Sequence, residues 1–389
     1  MTGDIVFIEE GALETRAAVI RDGVVRRLWF GPALGAEASD QAPRFGRTFV
    51  GKVSTIDSRL NAAFVDIGAD RDAFLPLKSD GARDLTEGAR VSARVTASPR
   101  QSKGALIEYL KSAPADHPLG RASPIASAPS ESLSFFAADR GAVKTSSPAV
   151  VDALRQGGVE APDAMSDAAL EAIDFDHALE AALSRRAPLP AGGSIVIDEA
   201  EALTAIDVDT GAAFGASDDR QRVNVIRAAA CEAARQIELR NLGGRLAIDF
   251  PAVRSSTLRE KSADAIRQAL APLRGVSSLS LTRGNFLTMT VDRRDGSLLD
   301  QATETGEDDP VPGRRLTLDW RARAAVREAE RRLAVLPGAR LYLHAGRELH
   351  DHLVAALDAR EAFFRRHGAR LDILLDTTAT GRHWRIDEG

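Results

Sequence analysis

Apolar and polar residues alternate in short runs through the first third of the chain. Residues 1–35 predict three strands, with turns at Glu10-Gly11 and Asp22-Gly23. The second turn is the clearer signal, because an Asp-Gly pair between two apolar runs favours a tight hairpin. Residues 46–111 predict five more short strands separated by turn-forming residues. Five short strands within about 65 residues are typical of a small closed barrel of the OB type.

Helical spacing of apolar residues begins after the first third of the chain. Residues 148–187 contain two such stretches, and residues 217–242 contain the longest one. The longest stretch predicts an amphipathic helix, with Ser217 as its N-cap and Gly243-Gly244 at its end. The apolar face of this helix is expected to contain Val223, Ile226, Ala230, Ala234 and Ile237.

Two apolar runs on either side of this long helix each end in acidic residues. The first is the segment 205–209, Ala-Ile-Asp-Val-Asp, and the second is the segment 247–250, Ala-Ile-Asp-Phe. A further helix is predicted over 255–273, and strands are predicted near 276–282 and 286–292. This βαβ rhythm favours a single sheet in which the two acidic strands are neighbours.

The acidic residues at these strand ends are Asp207, Asp209 and Asp249. Carboxylates at neighbouring strand ends form an oxygen-only site of the kind that Mg²⁺ and Mn²⁺ prefer. Such an ion polarises a phosphate and lowers the pKa of bound water, which suits phosphodiester hydrolysis. The residue types leave a structural interpretation open as well, because aspartate often begins a turn after a strand.

Composition restricts the class of protein and its partners. The chain has 389 residues, 44% of them hydrophobic and 28% charged, and no apolar run approaches the length of a membrane span. The first residues lack the basic-then-apolar order of a signal peptide, and the single cysteine fits a reducing compartment, so a cytoplasmic location is expected. Cys231 lies among small helical residues and is expected to be packed in the core. Because the net charge is −5, any RNA contact must depend on a local patch.

Three stretches of the sequence carry a family resemblance. PLPAGGSIVIDEAEALTAIDVDTG, at 188–211, and AARQIELRNLGGRLAIDF, at 233–250, resemble the catalytic region of the ribonuclease E/G family of bacterial endoribonucleases. GKVSTIDSRLNAAFVDIGADRDAFLPL, at 51–77, resembles the OB-type RNA-binding domain of that family. The resemblance extends over nearly the whole chain, and the long catalytic motifs are its most specific part.

The resemblance implies an α/β multidomain fold. A discontinuous RNase H-like domain would be interrupted by an OB-type barrel and followed by a DNase I-like catalytic domain and a small C-terminal α/β domain. The implied segments are 1–45 and 133–193 for the RNase H-like domain, 46–111 for the barrel, 112–132 and 301–314 for linkers, 194–300 for the catalytic domain, and 315–389 for the C-terminal domain.

The activity that the resemblance implies is Mg²⁺-dependent endonucleolytic cleavage of single-stranded RNA, leaving 5′-phosphate and 3′-hydroxyl ends. Asp207 and Asp249 would hold the metal ion, and Asp209 would position the attacking water. Phe64 and Phe74 match aromatic residues that stack on bases, although strand alternation alone fits a barrel-core role as well. The residue that matches a phosphate-contacting lysine of the family is Lys103. Such an enzyme would act in RNA processing or decay, including rRNA processing and mRNA decay.

Two groups of basic residues are further candidates for contacts with the RNA backbone. One group lies along the barrel edge and comprises Arg94, Arg100 and Lys103. The other accompanies the last strand pair of the predicted catalytic domain and comprises Arg283, Arg293 and Arg294. A solvated surface accounts for such residues equally well.

The sequence also departs from the family pattern. Asp209 stands where the family usually has Asn, and Phe250-Pro251-Ala252-Val253 follows Asp249 where Phe-Ile-Asp-Met is usual. Residues 301–314 contain no cysteine, so neither zinc nor a zinc-linked dimer is expected. The region from about 110 to 140 is too short for the family's 5′-monophosphate sensor pocket, so little preference for that end is expected.

Two other functions remain open from the sequence. The first is a non-catalytic RNA-binding protein that keeps the barrel while its nuclease site has decayed. The retained acidic residues in strand contexts argue against it, whereas Asp209 and Pro251 argue mildly for it. The second is a metal phosphoesterase for small molecules, which leaves the barrel unexplained.

Overall fold

The computed structural model describes most of the chain outside several loops. The described residues are 4–34, 43–78, 80–99, 103–113, 142–156, 159, 174–190, 192–211, 219–293, 295–306 and 313–389. The expected N-cap Ser217 and the basic residues Arg100 and Arg294 lie outside them, as do residues 114–132 of the expected first linker. No helix within these residues is long and apolar enough to cross a membrane.

An antiparallel meander begins the chain and contains the three predicted strands. They are β1 (Ile5–Glu10), β2 (Glu14–Arg21) and β3 (Val24–Pro32). Asp22 and Gly23 both have positive φ values, 52° and 73°, in the turn between β2 and β3. Asp-Gly suits this turn because aspartate tolerates and glycine freely adopts the left-handed conformation. The three strands and the second turn therefore match the sequence prediction.

A closed five-stranded barrel follows, in the region predicted to form one. Its strands are β4 (Thr48–Asp57), β5 (Ala62–Asp66), β6 (Ala73–Pro76), β7 (Arg90–Ala97) and β8 (Leu106–Ser112), with the short helix α1 (Asp80–Arg83) after β6. Phe49, Leu75 and Ile107 fill its core. Gly51 is required by close packing, since a Cβ there would lie 2.8 Å from the Asp66 carbonyl oxygen.

The chain then returns to the first sheet. Strand β9 (Ala142–Thr145) pairs in parallel with β1, giving the order β3-β2-β1-β9. Helices α2 (Pro148–Gln156) and α3 (Phe175–Leu183) follow. One sheet is thus assembled from segments on both sides of the barrel, as a discontinuous domain requires.

A six-stranded mixed sheet forms the next unit. Its strands are β10 (Arg186–Pro188), β11 (Ser194–Glu199), β12 (Thr204–Asp209), β13 (Gly244–Asp249), β14 (Val276–Leu281) and β15 (Phe286–Val291), in the order β10-β11-β12-β13-β15-β14. Helices α4 (Asp219–Leu239) and α5 (Ser256–Leu270) pack on one face. Ile206, Ile226 and Ile248 lie in the core between helices and sheet. The strand residues that alternate with this core in β12 and β13 form the opposite face, called here the open face.

Two expectations about helix α4 are corrected. The helix does not end at Gly243-Gly244 but at a Schellman motif centred on Asn241, whose φ is 55°. In that motif the Leu242 N–H donates to the Ile237 carbonyl at 2.9 Å, and the Asn241 N–H donates to the Glu238 carbonyl at 3.2 Å. Cys231 is exposed rather than packed in the core, because it follows the buried Ala230 by one residue and lies about 100° around the helix.

A small C-terminal α/β unit completes the chain. After α6 (Leu298–Ala302) come β16 (Thr303–Thr305), β17 (Arg314–Leu316), α7 (Leu318–Val335), β18 (Leu341–Ala345), α8 (Arg347–Asp351), a π-helical turn (His352–Ala356), α9 (Ala359–His367), β19 (Leu371–Leu375) and β20 (Trp384–Glu388). Strand β18 lies between β19 and β20. The segment 301–314, expected as a linker, instead contains β16, which pairs with β17.

Buried charges join this C-terminal unit to the first sheet. Glu14 of β2 is 2% exposed and forms an ion pair with the buried Arg327 of α7. Arg16 and Arg323 lie 3.7 Å and 3.8 Å from the Glu14 carboxylate. Asp176 of α3 lies 3.1 Å from Arg327. Residues that are far apart in sequence are therefore held together by one ionic network.

Candidate functional site

Asp207 and Asp249 lie side by side on the open face of the six-stranded sheet. Strands β12 and β13 are parallel, and their register places Asp207 directly opposite Asp249. Both residues are exposed, whereas the preceding Ile206 and Ile248 are buried. Because side chains alternate along a strand, burial of each isoleucine against the helices turns the following aspartate outward. Neighbouring strands lie about 4.8 Å apart, so the structure brings this predicted pair together.

Asp209 lies on the same face but is bound to other partners. Its Oδ2 accepts a hydrogen bond from Arg186 Nη1 at 3.1 Å, and its Oδ1 accepts one from the Gly211 N–H at 3.0 Å. The Gly211 hydrogen bond and, to a smaller extent, the Arg186 contact lower the pKa of Asp209 below its usual value. Arg186 Nη1 also donates to Ser194 Oγ at 3.1 Å. Arg186 was not singled out from the sequence.

The expectation of three carboxylates gathered into one metal site is not met. No three His, Cys, Asp or Glu side chains come together as a potential metal site anywhere in the described ranges. Asp207 and Asp249 face each other across a strand pair, while the Asp209 carboxylate is held by Arg186 and Gly211. The oxygen donors that the sheet offers as a pair are therefore those of Asp207 and Asp249.

The segment after Asp249 is fixed by contacts that sequence reasoning missed. Asn285 is 1% exposed and its Nδ2 donates to the Pro251 carbonyl at 3.0 Å. Asp219 Oδ2 accepts from the N–H groups of Arg254 and Ser255, at 3.1 Å and 2.8 Å. Those bonds, led by the one from Ser255, lower the pKa of Asp219. The position of Asn285 after Gly284 in a short turn was the one available sequence signal, because asparagine tolerates a positive φ.

Phe64 and Phe74 are opposite each other on the outer surface of the barrel. They are register partners on β5 and β6, and their ring centroids lie 5.8 Å apart at an interplanar angle of 76°. Both are half-buried, whereas Ala63, Val65 and Leu75 of the same strands are fully buried. The alternative in which one of these rings fills the barrel core is therefore wrong.

Lys103 is exposed on the segment that leads into β8, the strand whose Leu106 is in register with Phe74. The backbone at Gly104 approaches the neighbouring segment closely, since a Cβ there would lie 2.0 Å from the Asp72 carbonyl oxygen. This approach fixes the path of the chain after Lys103. The lysine and the two rings thus belong to one surface of the barrel, composed of β5, β6 and the start of β8.

The arginines that the sequence suggests for contacts with the RNA backbone differ in their surroundings. Arg283 is exposed in the turn between β14 and β15. Arg293 instead donates to the Gly243 carbonyl, where it packs against the backbone of the Gly243-Gly244 pair. Arg94 of the barrel lies 3.5 Å from Glu108 in an exposed ion pair. Among these described residues, Arg283 is therefore the best placed for a contact near the carboxylate pair.

Polar contacts tie the barrel to the six-stranded sheet. Asp295, a few residues after β15, accepts a hydrogen bond from Ser98 Oγ and one from the Phe45 N–H at 3.4 Å. The Phe45 N–H also donates to Ser98 Oγ at 2.9 Å. The residues just before the barrel and the segment after β7 are thus connected to the unit that carries Asp207 and Asp249.

Comparison with known sequences finds a family match for the part of the chain that carries Asp207 and Asp249. A sequence model of the Ribonuclease E/G family matches residues 148–294, which include both strand-end aspartates and the helix between them. These residues belong to the ribonuclease E/G family. The ribonuclease E/G segment also includes Arg186 and Asn285, whereas the barrel aromatics Phe64 and Phe74 precede it.

Proteins similar to this chain occur in bacteria and in a plant. Ribonuclease E of Escherichia coli is 35% identical over 179 residues, covering 42% of this chain and 17% of that protein. Ribonuclease G of Escherichia coli is 35% identical over 109 residues, covering 28% and 22%. A chloroplastic ribonuclease E/G-like protein of Arabidopsis thaliana is 32% identical over 124 residues, covering 31% and 12%. The chain spans less than a quarter of the length of each of these curated relatives.

Proposed function

We propose that this protein is a metal-dependent endoribonuclease that cleaves single-stranded RNA in RNA processing or decay. The observation that carries the proposal is the pairing of Asp207 with Asp249 on an open sheet face, inside a segment that matches a ribonuclease family. The names of the relatives support the reaction class. The products would be a 5′-phosphate and a 3′-hydroxyl.

The two facing carboxylates fit a hard divalent cation. Mg²⁺ takes oxygen ligands and is commonly bound through one or two carboxylates together with substrate phosphates. When bound, such an ion supplies charge stabilisation of the phosphate and a more acidic water. Asp207 and Asp249 would hold it, and Mn²⁺ would substitute for Mg²⁺. Zinc is not part of the proposal, because the chain has a single cysteine.

The remaining residues of the site would orient the RNA and the attacking water. Asp209, fixed by Arg186 and the Gly211 N–H, presents an ordered carboxylate beside the metal-binding pair. Such a fixed acceptor can orient a water without itself joining the metal. Its negative charge is offset by Arg186, so the local charge is set mainly by Asp207 and Asp249.

The barrel would supply RNA binding. Phe64 and Phe74 form an aromatic pair on its outer surface, and Lys103 provides a cation on the same side. Aromatic rings bind bases of any sequence by stacking, and basic residues contact the phosphates. In this proposal the barrel is an OB-type domain, the sheet β3-β2-β1-β9 belongs to a discontinuous RNase H-like domain, and the six-stranded sheet is a DNase I-like domain.

Incubation with an unstructured oligoribonucleotide, with and without Mg²⁺, tests the proposal. We expect internal cleavage that requires Mg²⁺ or Mn²⁺ and stops on chelation with EDTA. Downstream fragments should be substrates for ligation through a 5′-phosphate. Tight binding of the same RNA without any cleavage would identify a non-catalytic RNA-binding protein instead. A 2′,3′-cyclic phosphate on the upstream fragment would contradict the hydrolytic mechanism.

A further inference from the structure

Phe286 is the one aromatic residue in the six strands of the sheet that carries Asp207 and Asp249. It begins β15 and is 41% exposed. Single exposed phenylalanines are common on protein surfaces and need no explanation by themselves. Phe286 is distinguished by its place next to the carboxylate pair and by the hydrogen bonds that fix its backbone.

The register places Phe286 next to the carboxylate pair. Asp249 of β13 lies directly opposite Phe286, just as it lies opposite Asp207 on its other side. Directly opposite residues on antiparallel strands share one face of the sheet and have Cβ atoms about 4.5–5.5 Å apart. Asp207, Asp249 and Phe286 therefore form one row across the open face. A nucleotide whose phosphate is held beside the aspartates by the proposed cation would bring its own base or a neighbouring base over the ring.

The backbone of Phe286 is fixed to the segment that follows Asp249. The preceding residue, Asn285, has a φ of 65° and binds the Pro251 carbonyl through its side chain at 3.0 Å. The Phe286 N–H donates to Thr282 Oγ1 at 3.1 Å, and the Thr282 N–H donates to the Phe286 carbonyl at 2.9 Å. Because the backbone is already fixed, binding of a ligand to the ring need not order this segment, which reduces the entropic cost of binding.

The residues around Phe286 leave its ring accessible on the open face of the sheet. Its neighbours on the open face of the hairpin are the small polar residues Ser280 and Thr288, which are exposed. Within the described parts of the chain, the ring of Phe286 makes no aromatic or cation–π contact. Arg283, exposed in the adjoining turn, adds a positive charge at the same end of the hairpin. An exposed ring beside a cation is the combination that binds single-stranded nucleic acid.

We propose that Phe286 forms a nucleobase subsite in which its ring stacks on a base adjacent to the scissile phosphate. The inference rests on the proposed nuclease function and adds to it a second stacking point, separate from Phe64 and Phe74 on the barrel. It makes Phe286 a residue that aligns the RNA with the carboxylate pair. Because stacking is tolerant of base identity, the subsite requires a base at this position but not a particular one.

The test is a scan with abasic nucleotides. A set of oligoribonucleotides with one cleavage site is prepared, each lacking the base at one position, and kcat/KM is measured for each. For the wild-type protein, loss of one base next to the cleaved bond should lower kcat/KM by about 5- to 100-fold, which corresponds to one stacked base. Phe286→Ala should lower kcat/KM by a similar factor on the intact RNA. For this variant, loss of that base should not lower kcat/KM further. Phe286→Trp should retain both the rate and the sensitivity.

Leu279 provides a matched control on the same hairpin. It is 40% exposed and lies opposite the buried Met289, so it belongs to the helix-covered side of the sheet. Leu279→Ala should leave both the rate and the abasic profile unchanged. Equal losses in Leu279→Ala and Phe286→Ala, or an unchanged abasic profile in Phe286→Ala, would overturn the subsite. A wild-type protein that cleaves none of the RNAs would overturn the nuclease function and the subsite together.

Discussion

Arg186 Nη1 lies 3.1 Å from Asp209 Oδ2, so the acidic residue two positions after Asp207 on the same strand has its own counterion. Both side chains are substantially exposed, at 58% for Arg186 and 46% for Asp209. The contact joins an edge strand to the strand that carries Asp207. It gives the site a charge balance that the acidic sequence Asp207-Val208-Asp209 does not suggest.

This contact predicts opposite effects of two substitutions on metal affinity. Asp209→Asn leaves Arg186 uncompensated and should raise the half-saturating Mg²⁺ concentration for cleavage. Arg186→Met leaves the Asp209 carboxylate uncompensated and should lower it. Each shift should be about two- to fivefold, because exposed charge pairs contribute about 0.2–1 kcal/mol. The double variant should return close to the wild-type value. Shifts of the same sign in both single variants, measured at saturating RNA, would contradict this account of Asp209.

The barrel aromatics are expected to act in binding and not in folding. Phe64→Ala should weaken the affinity for an unstructured RNA by about 1–3 kcal/mol, the range for one stacked base. It should change the Tm little, since Phe64 is half-buried on the outer surface. Fluorescence anisotropy in EDTA and thermal melting measure the two quantities. Phe49→Ala is the matched control, because Phe49 is 1% exposed and its loss should cost about 3–5 kcal/mol of stability.

The sequence predicts little dependence on the 5′ end of the RNA. The segment expected to lack a phosphate-sensing pocket lies largely outside the described residues, so this remains a prediction from the sequence. Cleavage rates of matched substrates with a 5′-monophosphate and a 5′-hydroxyl should agree within about twofold, since no differential contact would stabilise either complex. A large preference for the monophosphate would show that this chain recognises that end by other residues.

The ionic network around Glu14 should contribute to stability. Glu14→Ala removes a buried carboxylate that faces Arg327 and should lower the free energy of unfolding by about 3 kcal/mol, because the buried Arg327 loses one of its two carboxylate partners. Urea denaturation measures the change. Asp372→Ala is the control, since its contact with Arg340 is exposed and should contribute less than about 1 kcal/mol. Similar losses in the two variants would argue against a special role for the network.

Much of the arrangement around Asp207 and Asp249 could be predicted from the sequence. A helix between two apolar strands favours parallel neighbours, and that rule alone places the two aspartates together. The three opening strands and the closed barrel also follow from alternation and turn residues. These features depend on local patterns, which the sequence displays directly.

Other features depend on contacts between distant segments and could not be predicted. The Arg186–Asp209 contact requires the pairing of β10 with β11 and of β11 with β12 in one particular register. Gly243-Gly244 is a strong helix-stop signal, so the sequence predicts the end of α4 at the wrong residues. Gly243 is instead required by close packing, since a Cβ there would lie 2.9 Å from Arg293 Cα. Asn241, a weaker signal, ends the helix instead.

The proposed nuclease site is tested most directly by neutralising its two facing carboxylates. Cleavage of an unstructured oligoribonucleotide in Mg²⁺ is compared for the wild-type protein, Asp207→Asn and Asp249→Asn, with RNA affinity measured in parallel. Each variant should lose at least about 100-fold in cleavage rate, because changing even an indirect partner of a metal costs about 10–100-fold. RNA affinity should persist, since the barrel is untouched. Cleavage by either variant at a rate close to that of the wild-type protein would contradict the assignment of this site.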